Sequence, residues 1–330
     1  MAWAANSVSC VLEDAIVSLE QLWEAYREHG YRADQPVGTD PLDLFYAALL
    51  AFGHQDVARA ADFASRAAAG APDERVFTEA AAYLGRVASQ GKHNVYVSGE
   101  AFAAFIGGGG NIPLYAATSA ALHAAYGEYE RLDVLDIGAG NGHALIPALT
   151  PNIDRLGVVE PSAALLAELR ERLGASGRPI EAFAVTAQEF ARQESSSWTI
   201  IQATYSLHSI PPEERPELLR RLRDLGQRLL IVEFDVPEFA SMYDPARVRD
   251  ILGRYQRGLA EYADDGGLVA QGFLMPVLMG YFDQTAARTT YEQPIVEWAE
   301  LVRAAGFAAV EVRPLYDYWW ATACLVSGSD

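Results

Sequence analysis

Residues 133–145, Asp-Val-Leu-Asp-Ile-Gly-Ala-Gly-Asn-Gly-His-Ala-Leu, constrain this chain more than any other stretch. Val134, Leu135 and Ile137 form a short apolar run bounded by glycines, the pattern of a buried strand. Gly138, Gly140 and Gly142 then remove side chains where the backbone must turn tightly and pass close to a ligand. The spacing predicts a strand, a glycine loop and a helix opened by that loop, an arrangement suited to a nucleotide-type cofactor. Asp136 lies in the strand end. Glu160, 18 residues after Gly142, closes a second apolar run of Leu156, Val158 and Val159. An acidic side chain at that place can accept both ribose hydroxyls of a bound adenosine.

The register of the loop separates two kinds of cofactor. A dinucleotide-binding Gly-x-Gly-x-x-Gly needs its third glycine at position 143, which is His143. Leu135 to Gly142 instead resembles the first motif of the class I S-adenosylmethionine (SAM)-dependent methyltransferases, hydrophobic-Leu-Asp-hydrophobic-Gly-x-Gly-x-Gly. The resemblance implies that Asp136, Gly138, Ala139, Gly140 and Gly142 border the methionine moiety. It also implies that Glu160, followed by Pro161, binds the ribose. The cofactor expected is SAM and the product S-adenosylhomocysteine (SAH).

Beyond residue 132, strands and helices alternate, which argues for an α/β fold with a parallel sheet covered on both faces. Strands are expected near 132–137, 156–160, 181–185, 198–204 and 229–235, with helices near 162–173, 187–193 and 213–225. A helical insertion over about 237–280 follows. A helix near 294–305 then leads to two strands near 307–313 and 318–326, which resemble the antiparallel last pair of a seven-stranded Rossmann-like methyltransferase sheet. Residues 9–90 carry helical periodicity broken at Gly30, Pro36 to Pro41, Gly53 and Gly70 to Pro72, the pattern of three to five antiparallel helices. The expected organisation is therefore a helical cap over 1–128 that covers the substrate, and a SAM-binding domain over 129–330.

Three further segments carry candidate chemistry. After strand 3, Thr186-Ala-Gln-Glu-Phe occupies the place where the family contacts adenine, which implies Ala187 and Gln188. The same residues also read as a capped helix start, with Thr186 as cap and Glu189 in the first turn. Strand 4, ending Thr204-Tyr-Ser-Leu-His-Ser-Ile-Pro, resembles the family's fourth motif and places Tyr205 beside the donor. There His208 is a candidate proton acceptor, since an ordinary imidazole takes a proton near neutral pH; in other members of the family the same Leu-His pair only shapes the pocket. Strand 5 carries Glu233 toward the same crevice. Aromatic residues cluster in three places, and from them Tyr96, Phe105, Asn111, Tyr115, Tyr281 and Trp319 are the expected acceptor pocket. For each cluster, ordinary core packing is the reading that the size and apolarity of these rings favour first, with the pocket as the alternative.

Composition narrows the partners. A net charge of −19 over 330 residues disfavours nucleic acid and anionic membrane surfaces. No run of about 18 uncharged apolar residues exists, and the first residues lack the basic start of a secretory signal, so a cytoplasmic protein is expected. Cys10 and Cys324 match no metal-binding spacing, and no metal is expected. The apolar faces of a helical cap would suit a homodimer.

A second likeness spans more of the chain. Asn111 to His123, Tyr291 to Trp298 and Ala304 to Phe307 resemble segments of the GRAS domain, which has both bacterial and regulatory plant members. The expected activity is methyl transfer from SAM to a small, largely apolar or aromatic metabolite of bacterial specialised metabolism. Two alternatives stand beside it: a SAM-binding protein that catalyses a rearrangement, and a GRAS-like regulatory module. A nicotinamide-dependent oxidoreductase is disfavoured by the loop register and the final strand pair.

Overall fold

The computed structural model describes residues 18–91, 98–174 and 179–330. Up to the first strand its helices are α1 (Leu19–His29), α2 (Pro41–Gly53), α3 (Val57–Gly70), α4 (Arg75–Gln90), α5 (Gly99–Ile106) and α6 (Asn111–Tyr126). Strands and helices then alternate: β1 (Leu132–Ile137), α7 (Leu145–Ala148), β2 (Ile153–Val159), α8 (Ala163–Gly174), β3 (Glu181–Phe183), α9 (Ala187–Gln193), β4 (Trp198–Thr204), α10 (Arg215–Leu225) and β5 (Gly226–Phe234). The remainder holds α11 (Pro245–Ala260), a π-helical turn (Ala270–Leu274), α12 (Met275–Phe282), α13 (Ile295–Ala304), β6 (Ala309–Asp317) and β7 (Thr322–Ser329).

The chain divides into two compact units, one of residues 1–102 and 239–286 and the other of 103–238 and 287–330. The first is helical. Asp40 caps α2 by accepting from Leu42 N, and Pro41 presets the first turn. From Asp43 to Gly53 every residue of α2 is buried, which requires neighbours on all sides. The insertion supplies part of that cover: the Tyr46 hydroxyl donates to the Tyr243 carbonyl at 2.8 Å, and the Tyr243 hydroxyl donates to the Phe282 carbonyl at 2.8 Å. Gly53 permits this packing, because a Cβ there would lie 1.8 Å from the Tyr243 oxygen. The insertion thus completes the N-terminal bundle. The division falls at residue 102, ahead of the position 128 expected from periodicity, because α6 packs its Leu122, Ala125 and Tyr126 on the sheet.

The second unit is a seven-stranded sheet in the order β3-β2-β1-β4-β5-β7-β6. β1 to β5 run parallel, while β7 is antiparallel to both β5 and β6. This is the α/β Rossmann-like sheet that the sequence pattern implies, with the terminal hairpin in place. Alternate residues serve opposite layers. Val134, Val158, Ile200 and Val232 pack under α6, α7 and α8. On the other face, Leu135, Ile201 and Ile231 meet α9, α10 and α13, with Trp298 buried between them. The helix after the glycine loop is four residues long. Pro147 lies inside it and Pro151 just beyond, and proline supplies no amide hydrogen to extend a helix.

One close fit tests this packing. Gly157 sits in the middle of β2, where a Cβ would fall 2.5 Å from Trp198 Cη2 and 2.8 Å from Leu135 Cδ1. The Trp198 ring is also covered by the Arg155 guanidinium, 3.7 Å from the ring centroid. Gly157→Val should therefore overpack the sheet and cost about 1–3 kcal/mol. The expected result is a lower urea midpoint at an unchanged slope; an unaltered midpoint would show that Trp198 moves aside freely.

Candidate active site

The glycine loop leaves β1 at the carboxyl edge of the sheet, where the strand order reverses between β1 and β4, the position where open α/β sheets bind ligands. Gly138, Gly140 and Gly142 have φ of 69°, 54° and 81°, the left-handed region that favours glycine. Gly138 also permits a close approach: a Cβ there would lie 2.5 Å from Ser206 Cβ, and Ser206 Oγ donates to the Ile137 carbonyl at 2.8 Å. Gly140 differs, since a Cβ there would project into open space. Its amide donates to Glu160 Oε2 at 2.9 Å, and Ser162 N donates to Glu160 Oε1 at 2.8 Å. The buried Glu160 carboxylate is thereby locked against the loop by backbone. Each oxygen retains capacity to accept a further hydroxyl proton.

Asp136 lies beneath the loop, 1 % exposed, and neither of its oxygens has a hydrogen-bond partner of good geometry. Gln202 faces it across the β1–β4 register, and the Tyr126 hydroxyl of α6 donates to Gln202 Oε1. Burial pushes the Asp136 carboxyl up to about 7; the Gln202 amide opposes the change, and the charge of Glu160 adds to it.

His208 and Glu233 come together. His208 sits in a 3₁₀ turn, Leu207–Ser209, directly after β4. Its amide donates to Glu233 Oε1 at 3.1 Å, and its Nδ1 lies 2.9 Å from Glu233 Oε2. A carboxylate only accepts, so Nδ1 carries the proton and Nε2 is left as the basic nitrogen. Burial alone would lower the pKa of this imidazole. The charge and hydrogen bond of Glu233 outweigh that, aided by Glu292, and hold it above the ordinary 6.5. The His208 side chain is 20 % exposed, against 3 % for Glu233.

The ends of the same two strands also carry a column of aromatic rings. Tyr205 stacks on Phe234 at 4.9 Å between centroids, and Phe234 stacks on Tyr318 at 5.6 Å. Trp319 continues it from Tyr318 at 5.4 Å, while Tyr115 meets the Tyr205 edge at 5.9 Å and His143 at 5.3 Å. The Tyr205 and Thr118 hydroxyls are 2.8 Å apart.

Among the residues singled out from sequence, Asp136, Gly138, Ala139, Gly140, Gly142, Glu160, Pro161, Tyr205, His208 and Glu233 share this edge of the sheet. Thr186 caps α9 in a reciprocal box with Glu189, and Ala187 begins that helix. The Gln188 amide donates to Glu214 at 2.8 Å on the surface. Asn111 donates to the Phe105 carbonyl and accepts from the Tyr318 hydroxyl, so it fastens the aromatic column from α6. Tyr115 and Trp319 belong to that column, Tyr281 belongs to the helical unit, and Tyr96 lies outside the described residues. Sequence reasoning missed Phe234, Gln202 and Arg215. Phe234 follows Glu233 in an apolar strand, and a polar Gln202 inside a buried strand was the available signal for the second.

Residues 134–227 match the family described as Methyltransferase domain. Curated proteins yield no match to the chain. Several solved structures resemble it at low identity. A candidate O-methyltransferase from Nostoc punctiforme is 15 % identical over 64 % of this chain and 55 % of its own, with a TM-score of 0.43. The magnesium protoporphyrin IX methyltransferase of Synechocystis, solved with SAH, is 14 % identical over 70 % of this chain and 93 % of its own, at 0.46. The mitomycin 7-O-methyltransferase MmcR is 15 % identical over 88 % and 73 %, at 0.44. None of these comparisons shows the GRAS likeness. The matched segment lies within a Rossmann-like seven-stranded sheet that ends in an antiparallel hairpin, so residues 134–227 are identified as a methyltransferase domain of that fold.

Proposed function

We propose that the chain methylates an O–H or N–H group on a small apolar or aromatic acceptor, with His208 as general base and Glu233 as its orienting acid. The observation that carries this reading is the His208–Glu233 pair at the end of β4, on the same sheet edge as the glycine loop and beside the aromatic column. S-adenosylmethionine, when bound, supplies an electrophilic methyl on a sulfonium. The residues present fit that donor. Glu160 can take the ribose hydroxyls, the open face of Gly140 admits the ligand, and the buried Asp136 carboxylate suits a cationic group.

The protein's share of the reaction is alignment, exclusion of water and removal of one proton. Nε2 of His208 would take the proton that the acceptor's oxygen or nitrogen gives up on methylation, the donor's carbon–sulfur bond breaking to leave SAH as a neutral thioether. Glu233 fixes the tautomer that leaves Nε2 basic and stabilises the imidazolium that results. Aromatic faces of the column bind an apolar acceptor and favour a sulfonium nearby.

Purified protein should bind SAH in a calorimetric titration, and Gly140→Arg should abolish that binding by filling the space above the loop; absence of binding to the wild type would refute the donor assignment. With methyl-labelled SAM and a metabolite extract, label should enter a small acceptor. His208→Ala should lower that rate about 10²–10⁴-fold. In the wild type the rate should rise with pH along a limb centred above 6.5, because only neutral His208 accepts a proton. A pH profile unchanged by His208→Ala would remove the base assignment.

Asp136 gives a separate test. Its folded-state value of about 7 lies above its unfolded value near 3.8, so its contribution to stability is full below about 3.8 and is lost as pH rises through about 7. Asp136→Asn should erase this component. The difference in melting temperature, wild type minus variant, should fall between pH 4 and pH 8, and a flat difference would show that burial does not raise the pKa of Asp136.

A further inference from the structure

Arg215 is buried to 1 % exposure at the start of α10. An isolated cation in such surroundings costs several kcal/mol unless it is fully hydrogen-bonded. Among the described residues no carboxylate pairs with it. Its acceptors are neutral: Nε donates to the Ile210 carbonyl at 3.0 Å, Nη1 to the Gln293 side-chain oxygen, and Nη2 to the carbonyls of Tyr291 and, at 3.4 Å, His208. The Trp298 ring covers the guanidinium, 4.5 Å from its centroid. These acceptors come from two segments, 208–210 and 291–293. The two are joined directly as well, by the Tyr291 amide donating to the His208 carbonyl at 2.7 Å.

That distribution of bonds is uneven in an informative way. A buried arginine used only to tie helices together would bond to helix ends. This one places two of its four bonds on carbonyls of the turn that carries His208, and the other two on the strap that crosses it. We propose that Arg215 is a positioning residue: its planar fork fixes the 208–210 turn against the 291–293 strap, and so holds the His208 ring on Glu233. The inference rests on the base role given to His208 above. A lysine could keep the charge but could not span two segments, because its ammonium lacks the rigid fork.

Glu233 on β5, Glu292 on the strap and Arg215 on α10 act on His208, and Arg215 in turn feels the charges of Glu233, Arg288, Glu297 and Glu213. Glu292 is itself held, accepting from Trp320 Nε1 at 2.7 Å. The geometry therefore separates two consequences of losing Arg215. Loss of its charge alone would leave His208 on Glu233 and raise its proton affinity. Loss of the fork frees the turn, breaks the Nδ1–Glu233 bond and returns the imidazole toward 6.5.

The test needs no acceptor. Histidine-labelled protein is followed by NMR, with the His208 signals identified by their absence in His208→Gln. The wild type should show a downfield, slowly exchanging Nδ1 proton and a titration midpoint above 6.5. In both Arg215→Met and Arg215→Lys that proton should broaden away and the midpoint should fall to about 6.5. An unchanged proton and midpoint in Arg215→Met would overturn the inference. So would full recovery in Arg215→Lys, since charge and not the fork would then suffice. If the arginine variants do not fold, Gln293→Met removes one acceptor while leaving the cation in place. It should speed exchange of the Nδ1 proton at least several-fold, and unchanged exchange would again overturn the inference. Because these signals report the state of His208 in the free protein, they are independent of whether His208→Ala slows methyl transfer, so failure of the base assignment is distinguishable from failure of the positioning role.

Discussion

The parallel pairing of β1 with β4 is the constraint on which the site depends. Its register sets Asp136 opposite Gln202 and Ile137 opposite Ala203, so the two strands end together. Everything that follows them is thereby forced into one place. The glycine loop leaves β1 as Tyr205 and Ser206 leave β4, and Gly138 must lack a side chain because Ser206 occupies the space. One residue of slip would turn Asp136 and Gln202 to the opposite face of the sheet and replace them with apolar side chains. The apolar layers on both faces, with Trp198 wedged over Gly157, make such a slip costly.

The neighbouring pairings extend the same logic. β2 ends beside β1, so Glu160 reaches the amide of Gly140. β5 ends beside β4, so Glu233 reaches His208, and β7 starts beside the end of β5, so the turn before it brings Tyr318 and Trp319 to the aromatic column. The edge collects the buried acids Asp136, Glu160 and Glu233, with Glu292 close to His208. Such a field favours a cation, and electrostatic terms strengthen where water is excluded. The charged donor gains from it, whereas the product, having lost the sulfonium charge, gains less.

Much of this was legible in the chain. The loop register, Glu160 and the alternation of strands follow from local spacing, and the strands lie close to where apolar runs place them. β1 was bounded correctly because its run is flanked by turn residues. β2 and β5 begin three residues earlier than expected, at Ile153 and Gly226, because their first residues are mixed polar and apolar and only the pairing makes them strand. The meeting of His208 with Glu233 could not be read, since it depends on two strands 25 residues apart ending at the same height. Arg215 was invisible for a different reason. A lone arginine beside Pro211, Pro212 and several glutamates reads as a solvated helix start, and only the folded strap of 291–293 gives it a buried purpose. The place of α6 and of the 237–280 insertion likewise depended on which surfaces were left uncovered, a property of the fold and not of any window of sequence.

Tyr205 shows how the site is held at local cost. It has φ of 50°, a left-handed conformation that costs a non-glycine residue roughly 1–2 kcal/mol. A glycine there would adopt the turn freely but would forfeit what the ring does. The Tyr205 amide still donates to the Val232 carbonyl at 2.8 Å, which keeps β4 on β5 to its last residue. The ring then lies on Phe234 and its hydroxyl reaches Thr118, contacts that each offset about a kilocalorie of strain. The turn that follows is displaced from the strand axis, so Ser206 meets the glycine loop while His208 swings back onto Glu233. Strain at this one residue is thus the local means by which a single strand end serves both halves of the site: the loop on one side and the base on the other.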